Sequence, residues 1–110
     1  MDFIDKIECG ITVSDENGVI TYMNDKSAEI FLNDGGRNLI GKSMYDCHSE
    51  NSNNQIQAMM SLGSSNIYSI EKNGKKKLIC QYAYPTNSDK YGLVEISIEL
   101  PQEIPHFKRD

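Results

Sequence analysis

Long apolar runs are missing from this 110-residue chain, and with them the roughly 20-residue segment that a membrane-crossing helix requires. The first residues also lack the basic region and apolar stretch of a secretory signal. Cysteine is sparse: Cys9, Cys47 and Cys80 stand singly and are odd in number. That pattern gives free thiols in a reducing compartment and excludes a disulfide framework. The expectation is a cytoplasmic protein with no membrane contact. Positive charge is scarce as well. Lys and Arg number 11 against 16 Asp and Glu, a formal net charge of −5, so nothing here could track a nucleic-acid backbone. The one basic run, Lys75-Lys76-Lys77, follows Asn73-Gly74 and reads as the solvated shoulder of a hairpin.

Catalytic and metal signatures are thin. A zinc site needs about four ligands, and two histidines with three isolated cysteines offer no paired spacing. Asp46-Cys47-His48 does not make a nucleophilic triad, because sequence neighbours point apart while a dyad needs converging side chains. Gly35-Gly36 lacks both the strand-to-helix context and the lysine of a phosphate loop. No enzyme activity is expected.

What is present is order. Ile11 to Asn24 places two β-branched runs around Asp15-Glu16-Asn17-Gly18, a strong hairpin signal. Asn24, Asp25 and Ser27 each have the short polar side chain of an N-cap, and Ala28, Ile30, Phe31 and Leu32 then follow helical spacing. Phe3, Ile4 and Ile7 share one side of a short helical turn in residues 1–8. Residues 33–37 break the chain, and 38–45 hold one turn running into a loop. Ile56, Met59, Met60 and Leu62 give an amphipathic helix that Gly63 stops. Strands are expected at 66–72, 76–84 and 91–100. In the last, Val94, Ile96, Ile98 and Leu100 alternate with Leu93, Glu95, Ser97 and Glu99. Pro101 and Pro105 leave residues 101–110 as an extended tail. The order is two strands, a run of short helices, then a three-stranded meander.

That order, together with three motifs, resembles the PAS domain family. The motifs are Val13 to Asn24, the Leu39-Ile40-Gly41-Lys42-Ser43 step, and Pro85 with the turn to Gly92. The resemblance covers roughly residues 5–100. It implies an α+β fold, a PAS-like five-stranded antiparallel sheet (β-β-α-α-α-β-β-β) with short helices over one face, spanning 9–100. It further implies a regulatory sensing module that holds a small ligand or cofactor between sheet and long helix, or a ligand-free dimerisation module. The expected partners are a second copy and a downstream effector protein acting in trans, since the Asp-Ile-Thr-like link of fused family members is missing.

By position in the family, Tyr45, Cys47 and His48 border the cavity, with Ile56, Met59, Met60 and Tyr82 as candidate lining. Each has a second reading: a water-facing loop for Cys47-His48, plain core for the others. Gln81, on the opposite strand face from Tyr82, could orient a polar ligand or lie exposed. The ligand itself is left open. Haem would use His48 as axial ligand, off the family's usual pattern of a histidine from the long helix. The Asn-Cys-Arg-Phe motif of flavin-binding members is absent, which argues against FMN. Met23 and Ser27 stand where a third photoreceptor group needs Tyr and Glu. In the tail, Ile104 and Phe107 are apolar and free to dock or to fray.

Overall fold

The structure, a computed structural model, describes residues 2–47 and 49–110; of Cys47 the backbone alone is described. In chain order the elements are α1 (Phe3–Lys6), β1 (Gly10–Ser14), β2 (Ile20–Met23), α2 (Asp25–Ile30), α3 (Glu50–Leu62), β3 (Ser65–Lys72), β4 (Lys75–Pro85) and β5 (Tyr91–Glu99). Three 3-10 turns, Leu32–Asp34, Gly36–Leu39 and Met44–Cys47, carry the chain from α2 to α3. The strands form one antiparallel sheet in the order β2-β1-β5-β4-β3. The α+β architecture expected from the sequence is the one observed.

Local chemistry explains most boundaries. In the first turn the Asp15 carboxylate accepts from Asn17 N at 2.9 Å and Val19 N at 3.0 Å, so one side chain templates the loop. Gly18 sits at φ +80° with the Tyr45 ring so close that a Cβ would lie 2.5 Å from Cε2. Glycine is required there twice over, for the dihedral and for the space. Asn73 and Gly74, both at positive φ, join β3 to β4 in the turn type that matches strand twist. Helix α3 is capped by the Ser49 side chain, which accepts from Ser52 N, and stopped by Gly63 in the left-handed conformation. Its buried stripe is Ile56, Met59 and Met60. Leu62 falls outside it at 77% exposure, two residues past Met60 and so turned off the face.

The core lies between the helices and one face of the sheet: Ile20, Met23, Leu39, Met44, Ile56, Met59, Met60 and Leu93. Leu93 fixes which face of β5 looks inward, and Glu95 and Ser97 therefore look inward with it. The apolar set Val94, Ile96 and Ile98, which alternation alone would turn toward a core, points the other way. Register places it beside Val13 and Ile11 of β1 and beside Tyr82, Cys80 and Leu78 of β4. These residues shield one another, so that Cys80 is buried and most of the rest are half-buried, but Tyr82 stays 42% and Ile67 of β3 53% exposed. The inner face of the sheet is thus mixed, apolar at Ile20, Met23, Leu93 and Ile79 and crossed by polar residues, while its outer face is largely apolar.

Candidate functional site

The inward polar residues form a continuous row. Register aligns Thr12 of β1 with Glu95 of β5, Glu95 with Gln81 of β4, and Gln81 with Asn66 of β3. Gln81 is 3% exposed, and Asn66 Nδ2 stands 3.4 Å from its Oε1. At the other end of the row Thr12 Oγ1 and Ser27 Oγ of α2 are 2.5 Å apart. Gln81 alone of the row is buried, and the side chains of Thr12, Gln81 and Asn66 are partnered, so the row is a satisfied polar seam laid beneath the helices.

Three cavities open on this row. A small one of about 30 Å³ lies at the core end, between Leu39, Met44, Leu93 and Glu95. A cleft of about 240 Å³ runs from Thr12, Ser27 and Phe31 past Glu95 to Tyr68 and Ile79. A groove of about 280 Å³ separates α3, at Ser52 and Ile56, from Asn66, Tyr68 and Gln81. Tyr68 lines both of the larger spaces. Burial, and then the Glu95 carboxylate, push its phenol pKa upward, so it remains a hydrogen-bond donor.

The row is tied to the N-terminus through Asn24, which is fully buried and uses its whole side-chain amide. Oδ1 accepts from Ser27 N and Ile11 N, both at 2.9 Å; Nδ2 donates to Ile4 O at 3.0 Å and Cys9 O at 2.8 Å. Helix α1, which buries no residue of its own, hangs on these bonds and on surface charge. Lys6 lies 2.5 Å from Asp25, Arg37 pairs with the same carboxylate, and the Tyr22 hydroxyl donates to Asp5. The Asp25 pKa is held low by Lys6 and then Arg37, and Tyr22 is pushed up to about 12, chiefly by its bond to Asp5.

The family model of the PAS fold matches residues 4–62, more than half of the chain. The chain belongs to the PAS fold family. No curated protein sequence matches it. Among solved structures it is similar to a sensory box sensor histidine kinase from Vibrio cholerae, at 12% identity and TM-score 0.68, over 92% of this chain and 88% of that one. It is similar also to the PAS domain of BvgS from Bordetella pertussis (15%, TM-score 0.56, 91% and 81%). A third is the Aer2 receptor of V. cholerae, a dual PAS-heme oxygen sensor (13%, TM-score 0.60, 89% and 99%). At these identities the likeness is one of fold.

Within this PAS domain the residues singled out from the sequence scatter. Ile56, Met59 and Met60 are core at 2–4% exposure, and Ile56 also borders the groove beside Gln81. Tyr45 is half-buried, its hydroxyl 3.4 Å from Met60 Sδ, and burial raises its pKa. Both line a separate open groove with Gln57 and Lys90, away from the polar row. Tyr82 requires correction: register with Val94 sets it on the outer face, where it lines no inner cavity. His48 lies outside the described residues, as does the Cys47 side chain. Among the described residues no group of three metal-ligating side chains occurs, and no helix is long and apolar enough to cross a membrane. Thr12, Asn66, Tyr68 and Glu95 were not foreseen. The available signal was the alternation of β5, which put Glu95 and Ser97 on the face of Leu93.

Proposed function

We propose that this PAS domain is a regulatory sensing module, not an enzyme, that binds a small molecule in the inner cleft and signals by protein contact. The observation that carries this reading is the pairing of a polar row beneath the helices with an apolar outer face. A ligand would explain the first and a protein partner the second. On this reading Thr12, Tyr68 and Glu95 face the ligand, with Gln81 and Ile56 in the adjoining groove that Tyr68 also lines. The outer face, with Ile96 between Ile11 and Cys80, pairs with a second copy, and the dimer acts in trans on a further protein in the cytoplasm. The working domain runs from 9 to 100, with 1–8 as a helical preface and 101–110 as an extended tail. A haem reading through His48 meets inner spaces of about 30, 240 and 280 Å³, small for a cofactor, and the smaller ligand is preferred.

The test is sedimentation and native mass spectrometry of the wild type and of Ile96→Lys. A wild-type dimer and a folded monomeric variant are expected, because the lysine sets a charge in the middle of the apolar face. A wild type that stays monomeric at high concentration refutes the outer face as the dimer contact.

A further inference from the structure

The inner face changes character in bands as it runs from the Asn73-Gly74 turn toward Leu93. The first band is charged, with lysines in excess. Register puts Lys72, Lys75 and Lys77 on the inward side with Glu99, which stands opposite Lys77 and 3.4 Å from Lys75, while Lys72 and Lys77 line the cleft. The second is apolar, Ile70 and Ile79 lining the cleft together with Ile30 of α2 and Phe31 just past its end. The third is the polar row, where Glu95 is, among the described residues, the one carboxylate lining the cleft, flanked by Thr12 and Gln81 with Tyr68 alongside. The cleft of about 240 Å³ touches all three bands.

Each simpler ligand class meets only part of this surface. A neutral apolar molecule matches Ile70 and Ile79 but leaves the charges at both ends of the cleft unanswered. A simple anion suits Lys72 and Lys77 but must run its far end onto the Glu95 carboxylate. A simple amine suits Glu95 and draws nothing from the lysines. A molecule with opposite charges at its two ends matches every band. Granting that the cleft binds a ligand, we propose that this ligand is a small zwitterion: its ammonium group on Glu95, a short apolar body over Ile70 and Ile79, and its carboxylate at Lys72 and Lys77. Lys77 lies four residues along β4 from Gln81, the cross-strand neighbour of Glu95, or about 13 Å of strand. The reach of the lysine and glutamate side chains shortens this to a span that a short alkyl chain covers. Ligands of amino-acid size with well-separated charges fit; those of cofactor size do not.

A matched set of probes reads this directly. ε-Aminocaproate, hexylamine and hexanoate share one body and carry both charges, the ammonium alone, and the carboxylate alone. They are titrated into the full chain, following backbone amide shifts of Tyr68, Gln81 and Glu95 by NMR. ε-Aminocaproate is expected to bind about tenfold or more tighter than either single-charge probe, since each charge-assisted contact is worth at least that factor. Lys77→Gln should bring it down to the level of hexylamine and leave hexylamine unchanged. Glu95→Gln should bring it down to the level of hexanoate. The Lys77 variant lies near the strand end and keeps the test open if the Glu95 variant does not fold. Equal or tighter binding of hexylamine or hexanoate overturns the zwitterion and leaves the cleft as a ligand site. Shifts with none of the three at the inner face overturn both.

Discussion

Replacing Asn24 with alanine tests the joint that holds this domain to its N-terminal segment. The substitution removes four hydrogen bonds at once, to Ile4 O, Cys9 O, Ile11 N and Ser27 N. The two carbonyls belong to a segment that can lift and rehydrate, so their loss is cheap. The two amides are not so placed. Ser27 N is the orphan donor of a helix first turn, where loss of a cap costs about 1 kcal/mol. Ile11 N sits inside the sheet, and a buried donor left unpaired costs about 1–3 kcal/mol. With the small void added, the expected loss is about 3–5 kcal/mol, a large part of the roughly 5–15 kcal/mol that holds a domain of this size. Urea unfolding measures it, and hydrogen exchange assigns it: the Ile11 and Ser27 amides and the α1 backbone should lose protection. Asn24→Asp supplies a control of nearly equal shape. Its carboxylate would face two carbonyl acceptors in a buried site, which raises its folded-state pKa above the unfolded value. An acid shifted that way is best tolerated when protonated, so the variant's deficit should shrink as pH falls and grow as pH rises through the folded pKa. A loss under 1 kcal/mol in the alanine variant, or undiminished protection at Ile11 and Ser27, refutes the argument.

Gly18→Ala should cost about 2–3 kcal/mol, because alanine pays for φ +80° and its methyl displaces the Tyr45 ring; a midpoint within error of wild type rejects it. Tyrosine-ring NMR titration should show Tyr22 ionising late, at about pH 12, and Asp5→Asn should bring it back toward the ordinary value near 10. Because the folded pKa is raised, the Tyr22–Asp5 contribution to stability is full below pH 10 and is lost as pH rises through 12. An unchanged titration in the Asp5 variant would show the bond to be unimportant.

The parts of the fold that could be read from the sequence are those that local chemistry writes. Asp15 folds the first turn onto its own backbone neighbours, Asn24 caps the helix that follows it, and Ser49 and Gly63 bound α3. Each involves residues within four positions of one another, so spacing alone carries the information. The candidate site is of another kind. Thr12, Glu95, Gln81 and Asn66 come from four strands, and only register brings them into line. The alternation of β5 separates two faces but does not say which one turns inward. That is decided by Leu93, which enters the core with Glu95 and Ser97 on its side. The same ambiguity set Tyr82 among the cavity residues, where Gln81 belongs. The open reading of Gln81 as a ligand-orienting residue is the one its burial favours.

The order of strands has a consequence for how the chain is made. Two neighbouring interior strands, β1 and β5, are the paired strands farthest apart along the sequence, residues 10–14 pairing with 93–97. The first hairpin and the last meander can each assemble from near neighbours, but the seam between them closes a loop of about 80 residues, the slow kind of contact. During synthesis the inner edge of β1 must wait unpaired until β5 has left the ribosome. Thr12 and Glu95 face each other across that seam. A ligand touching both would rivet together the last-formed joint of the nascent domain, and occupancy would then be felt as completion of the fold itself.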